Sequence, residues 1–159
     1  SLLCLKTSIK TCPGSGLFLT LFTGSMTYIV GYAGIVYKLT TLLLAGMSTL
    51  GIFSGLTLYA VQTKYDYTDK GGYLISLLMG FIIFGFMISF VNLPVLSIVY
   101  SSVGSLIFSF YIVYDTQMIV GGEHRRIKFH RDDYVIAAIS LYLDIINLFL
   151  YLLELLDGR

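Results

Sequence analysis

Charge is the first thing this chain lacks. Only 12% of its 159 residues are charged and the formal net charge is +1, whereas a soluble domain carries about a quarter charged residues. A water-facing globule is excluded on that ground, and so is a surface built to bind nucleic acid. Tryptophan is absent, and there are two each of proline, histidine and cysteine. Cys4 and Cys12 are too few for a disulfide framework or a zinc site and are read as unpaired thiols. His124 and His130 lie six apart in a polar stretch, a poor spacing for a metal. Neither histidine sits in an apolar run and no GxSxG occurs, so no hydrolase constellation is present. No cofactor, no metal site and no enzyme activity are expected. Alternating ten-residue segments are missing too, which excludes a transmembrane β-barrel, and there is no repeat or low-complexity tract.

What fills the chain instead is hydrocarbon. Apolar residues make up 57% of it and the mean hydropathy is +0.86. A membrane-crossing helix needs about 20 mostly apolar residues, and five stretches qualify: 17–36, 39–61, 72–91, 94–120 and 134–156. The expected fold is an all-α polytopic bundle over 17–156, with membrane lipid as its solvent. Residues 1–16 are expected to form a cytoplasmic amino-terminal segment in which Pro13 and the glycines break any helix. Their apolar run is too short, and lacks the small-residue site, for a cleaved signal.

Short loops enriched in lysine and arginine stay in the cytoplasm. With the amino terminus inside, that side holds Lys6, Lys10, Lys64, Lys70, Arg125, Arg126, Lys128 and Arg131, and the other holds Lys38 and Arg159. The loop GGEHRRIKFHRDD (121–133) is then cytoplasmic. Glu123, Asp132 and Asp133 offset much of its charge, so it is read as a topology marker, with contact to anionic lipid headgroups as the alternative; nucleic acid is not an expected partner. Gly51 and Gly55 form a GxxxG pair and Gly24, Ser25, Gly31 and Gly34 crowd the first span. They are expected to let backbones approach closely, for packing and not for function.

Two acids stand inside apolar runs: Asp115 in SFYIVYDTQMIVGG and Asp144 in LYLDIINLFLYLL. Stepping from Asp115 by threes and fours reaches Tyr111, Phe108, Gly104, Ser101 and Ser97, a small and partly polar face. On the last span Ala137, Ser140, Asp144, Asn147, Tyr151 and Glu154 make one polar stripe. An ionised acid at the bilayer centre costs about 2.5–3.5 kcal/mol even on insertion scales, so the two are expected to be paired with each other, with a cation or with a proton. Counted from the shared loop, Asp115 lies about 9 Å deep and Asp144 about 16 Å. They meet if the fourth helix runs on towards Arg125 and the fifth starts near Val135. A pair that meets shares one proton and titrates as a unit. When both are ionised, its oxygens suit calcium in transient contact.

Two other readings stand beside that one. Each acid can serve as interhelical glue, hydrogen-bonded to a hydroxyl or to backbone, in a non-conducting structural protein. Aspartates on consecutive spans also occur in intramembrane aspartyl proteases, and Tyr114-Asp115 matches half of their signature. Asp144 lies in YLDII and not in GxGD, however, and no PAL tripeptide occurs.

LYAVQTKYDYT (58–68), IVYSSVGSLIFSFYIVYDTQMIVGG (98–122) and DDYVIAAISLYLDIINLFLYLLELL (132–156) resemble the transmembrane Bax-inhibitor-motif proteins, most closely their lifeguard branch, over about residues 17–156. The resemblance implies a seven-helix fold in endoplasmic reticulum, Golgi or another endomembrane. It also implies a pH-sensitive calcium leak that regulates calcium homeostasis and protects against apoptosis, with apoptosis-regulating membrane proteins as partners. Asp115 and Asp144 match the family's pH-sensing acids, with Tyr111, Ser140 and Asn147 supporting them. Counted from the carboxyl end, the five spans match family helices three to seven, so the first two, with a basic residue that contacts the acids, are expected to be missing.

The lysine and arginine bias generates a topological prediction. A glycosylation acceptor placed after Arg159 is modified in a eukaryotic membrane and one inserted near Lys128 is not; the reverse pattern would invert the orientation.

Overall fold

The computed structural model describes residues 12–121 and 134–158. Expectations placed on Cys4, His124, His130 and the basic stretch after Gly121 fall outside them. The described residues form five α-helices: α1 (Cys12–Val36), α2 (Leu39–Gln62), α3 (Gly71–Ile88), α4 (Pro94–Val120) and α5 (Tyr134–Asp157). A 3-10 turn, Thr68–Lys70, leads into α3. All five helices are long and apolar enough to cross a membrane, as fits a multi-pass integral membrane protein. The class expected from composition, an all-helical bundle with no strand among the described residues, is the one observed.

Two helix ends differ from the expectation. α1 begins at Cys12, because Pro13 falls in the first turn, where its missing N–H has no intrahelical acceptor and its fixed φ suits the helix. α3 stops at Ile88, three residues before Val91, and the chain turns through a Ser89 N–H bond to Gly85 (3.1 Å) and a Phe90 N–H bond to Met87 (3.3 Å). Leu93 is extended (φ −111°, ψ 113°), as the residue before a proline prefers, and Pro94 opens α4.

Hydrocarbon offers no hydrogen bonds, so each helix satisfies its polar groups internally. Hydroxyls along the spans donate to the carbonyl four residues back, as Thr49 does to Ala45 (2.7 Å) and Ser105 to Ser101 (2.9 Å). The outward faces are large and apolar, for example Ile35, Met47, Phe86 and Leu106. Lipid is as apolar as leucine, so close packing and interhelical hydrogen bonds hold the bundle.

That packing centres on α4 and α5, which run antiparallel. Their register is set at one end by the Ser97 hydroxyl donating to Glu154 Oε1 (2.6 Å). Along the middle, Phe108 stacks on Tyr151 with ring centroids 5.8 Å apart. Phe108, Ile112 and Leu148 form one buried cluster, covered by Ile52 and Phe53 of α2 and Leu78 of α3. A second cluster, Ala33, Ala45 and Leu153, joins α1 and α2 to α5.

The glycines behave differently from their sequence pattern. Nothing lies within 4 Å of a side chain built at Gly24, Gly31, Gly34, Gly51 or Gly55, so the first-span glycines and the GxxxG pair face open space and bring no backbones together among the described residues. A GxxxG spacing permits close approach without supplying the neighbour. The tight glycine is Gly104 on α4, where a Cβ would lie 2.8 Å from Phe81 and 3.0 Å from Tyr151, both parts of rings in the α3–α4–α5 aromatic cluster. Gly104→Val should therefore overpack this cluster, lowering stability by about 1–3 kcal/mol. Gly51→Ala should leave it unchanged, as read by thermal unfolding in one detergent; equal effects would contradict the packing described.

Candidate functional site

Asp115 and Asp144 enter the protein from opposite sides of the α4–α5 seam. Asp115 follows the small stripe of α4, whose Ser101, Gly104 and Phe108 are all buried. Asp144 follows Ala137 along the stripe of α5. The acids are 6% and 5% exposed, both line one cavity, and their carboxyl groups lie close enough to act on each other across the seam. A carboxylate only accepts, so a bond between two carboxyls requires a proton on one of them. With that proton the pair carries one negative charge; without it, two like charges face each other in a low dielectric.

The pair meets without the longer α4 that a depth count demands. α4 ends at Val120, and Gly121 closes it with φ 66°, a value open to glycine, and an N–H bond to Gln117 (2.9 Å). Arg125 lies outside the described residues. The offset comes from α5 instead: in the antiparallel register fixed by Ser97–Glu154 and Phe108–Tyr151, its first turn projects past the end of α4.

The acids share a cavity of about 410 Å³ with the other residues read from the sequence: Tyr111, Ser140 and Asn147 all line it. Phe81, Tyr100, Phe108 and Tyr151 supply its aromatic walls, Phe81 and Tyr100 stacking with centroids 4.0 Å apart. Asn147 spends one amide hydrogen on Leu143 O (2.8 Å). Asp144 Oδ2 and the Tyr111 hydroxyl are buried and find no partner among the described residues, so two polar atoms lining this space are open to a water or a ligand. Among the described residues, the lining includes no lysine, arginine or histidine. No group of three or more His, Cys, Asp or Glu side chains gathers among the described residues. A calcium ion here would have two side-chain carboxylates, and the rest of its usual six to eight oxygens would come from water or backbone.

One buried residue escaped the reading of the sequence. Gln117 is 1% exposed and ties α4 to the segment between α2 and α3. Its Oε1 accepts from the Tyr67 N–H (2.8 Å), and its amide donates to Tyr65 O (3.1 Å) and Ala60 O (3.3 Å). An amide inside an apolar helix, two residues after a buried acid, was the available signal.

The match to known proteins covers nearly the whole chain. The family model described as "Inhibitor of apoptosis-promoting Bax1" matches residues 2–159. The chain belongs to this Bax-inhibitor family. It is similar to protein lifeguard 4 of Mus musculus, 39% identical over 137 residues, which are 86% of this chain and 55% of the relative. It is also similar to the Golgi anti-apoptotic proteins of vaccinia virus strains Lister and LC16m0, each 36% identical over 136 residues, with the same 86% and 55% coverage. This Bax-inhibitor chain therefore spans about half the length of the curated relatives it matches.

Proposed function

We propose that this chain supplies the two-aspartate gate of a pH-sensitive calcium leak in an endomembrane, and that it opposes apoptosis by limiting stored calcium. The observation that carries the proposal is the meeting of the buried Asp115 and Asp144 carboxyls in one cavity between two membrane-spanning helices. Family membership and the anti-apoptotic name of the viral relatives support the cellular role; the word Golgi in that name supports an endomembrane. Membrane lipids, calcium and apoptosis-regulating membrane proteins are the partners that follow.

The gate works through a single proton. While one carboxyl donates to the other, α4 and α5 are tied beside the cavity. Loss of that proton replaces the tie with repulsion between two carboxylates, and the seam loosens beside oxygens that a hard cation prefers. Proton and calcium compete for the same oxygens, so the flux follows pH.

The experiment is calcium flux against pH in calcium-loaded vesicles containing the full chain, its Asp115→Asn and Asp144→Asn variants, and the double variant. Asparagine keeps a hydrogen-bonding group at each position but cannot titrate. Each single variant should flatten the profile, and the double variant should be no flatter than either, because the pair acts as one unit. An unchanged profile in both singles would leave the acids as interhelical glue. Reproducible cleavage of a membrane substrate that needs both aspartates would replace the leak by intramembrane proteolysis.

A further inference from the structure

The last two turns of α4 hold three consecutive buried polar residues: Asp115, Thr116 and Gln117 are 6%, 5% and 1% exposed. Successive residues of an α-helix point about 100° apart, so these three sweep more than half of the helix circumference. Such enclosure is unusual in a span of which 28% is buried. Asp115 faces α5, where its partner Asp144 sits. Gln117 faces the other way, towards the end of α2 and the segment 63–67.

The segment is itself fixed. The Tyr59 and Tyr67 hydroxyls are hydrogen-bonded (2.8 Å), the Tyr65 and Tyr67 rings meet edge to face at 4.7 Å, and the Thr68 N–H donates to Asp66 Oδ1 (3.0 Å). Gln117 places its whole amide in this frame, accepting one hydrogen bond and donating two. On a further face of the same two turns, Tyr114 lies so close to Gly71 at the start of α3 that a Cβ there would be 2.6 Å from its hydroxyl. Rotation or sliding of the end of α4 therefore breaks hydrogen bonds on one side and meets α3 on another.

We propose that Gln117 is a positioning residue: by clamping the last turn of α4 to the segment between α2 and α3, it fixes the Asp115 carboxyl against Asp144 and thereby sets the pH at which the pair changes state. This rests on the reading of the two acids as a titrating pair, but not on conduction. The groups that act electrostatically around Asp115 are Asp144 from α5 and Tyr111 and Tyr114 from its own helix. The titratable groups of the end of α2, the segment after it and the 3-10 turn, all packed on the Gln117 side of α4, are Tyr59, Lys64, Tyr65, Asp66, Tyr67, Asp69 and Lys70, and none of them is among the groups that act on Asp115. The hydrogen bond that Tyr67 shares with Tyr59, together with burial, pushes Tyr67 up to about 12, so that hydroxyl stays protonated through the neutral range.

The test is thermal unfolding of the full chain in detergent over a series of pH values. Asp115→Asn and Asp144→Asn identify the part of the profile that belongs to the pair. Gln117→Met keeps the length and bulk of the side chain without its hydrogen bonds and should move the midpoint of that part by about half a pH unit or more, the size expected for coupling through one hydrogen bond. Tyr67→Pro attacks the clamp from the other side, deleting the N–H that Gln117 accepts at a residue whose φ of −81° suits proline. It should move the midpoint in the same direction, and it decides the matter where Gln117→Met does not fold. Lower stability with an unmoved midpoint would make Gln117 a staple and overturn the proposal. A moved midpoint in a chain that passes no calcium would uphold the clamp and remove the leak.

Discussion

A carboxyl group surrounded by hydrocarbon must find a partner or bear the cost of burial alone, and in this chain a second buried carboxyl faces it across the same cavity. The juxtaposition of Asp115 and Asp144 sets the demands on everything near it. Two carboxyls side by side are strongly polar in any protonation state and lipid accommodates them poorly, so α4 and α5 shield the pair. The residues around it supply that shield: buried Ser101, Gly104 and Phe108 before it on α4, Leu148 and Leu153 beyond it on α5, and the rings of Phe81, Tyr100 and Tyr151 across the cavity.

The rest of the bundle follows from the same constraint. Because lipid competes equally for apolar side chains, α1, α2 and α3 keep broad greasy faces outward and touch the α4–α5 seam through limited clusters. Polar contacts occur where two helices must be held in register. Ser97 with Glu154 does this at one end of the seam, the aspartate pair does it towards the other, and Gln117 extends the hold to the end of α2.

The spans were legible because composition alone fixes the solvent, and the solvent fixes helix length. The stripes on α4 and α5 were legible because acids and small residues recur every three or four positions in otherwise apolar runs. Pro13 misled because its effect depends on position: it breaks a helix from the interior and starts one from the first turn. The glycines misled because spacing records where a neighbour fits, and only tertiary structure supplies it; Gly104 gained its neighbours from α3 and α5, whereas Gly51 and Gly55 gained none. Gln117 stood out as an amide in an apolar run, but its partners were illegible for the same reason, since the backbone groups it binds lie 50 to 57 residues away in the chain. The depth count could not settle whether the acids meet, because the axial shift of α5 against α4 is a property of packing.

The most direct measurement of the central claim is a double-mutant cycle on the pair. Asp115→Ala and Asp144→Ala are made singly and together, and unfolding is followed in one detergent at one pH. Either single change strands the remaining carboxyl without its partner, whereas the double removes both. A carboxyl–carboxyl bond predicts that the double is less destabilising than the sum of the singles by about 0.5–3 kcal/mol. Additive effects would mean that the two acids are stabilised independently, and the account of the site would fail.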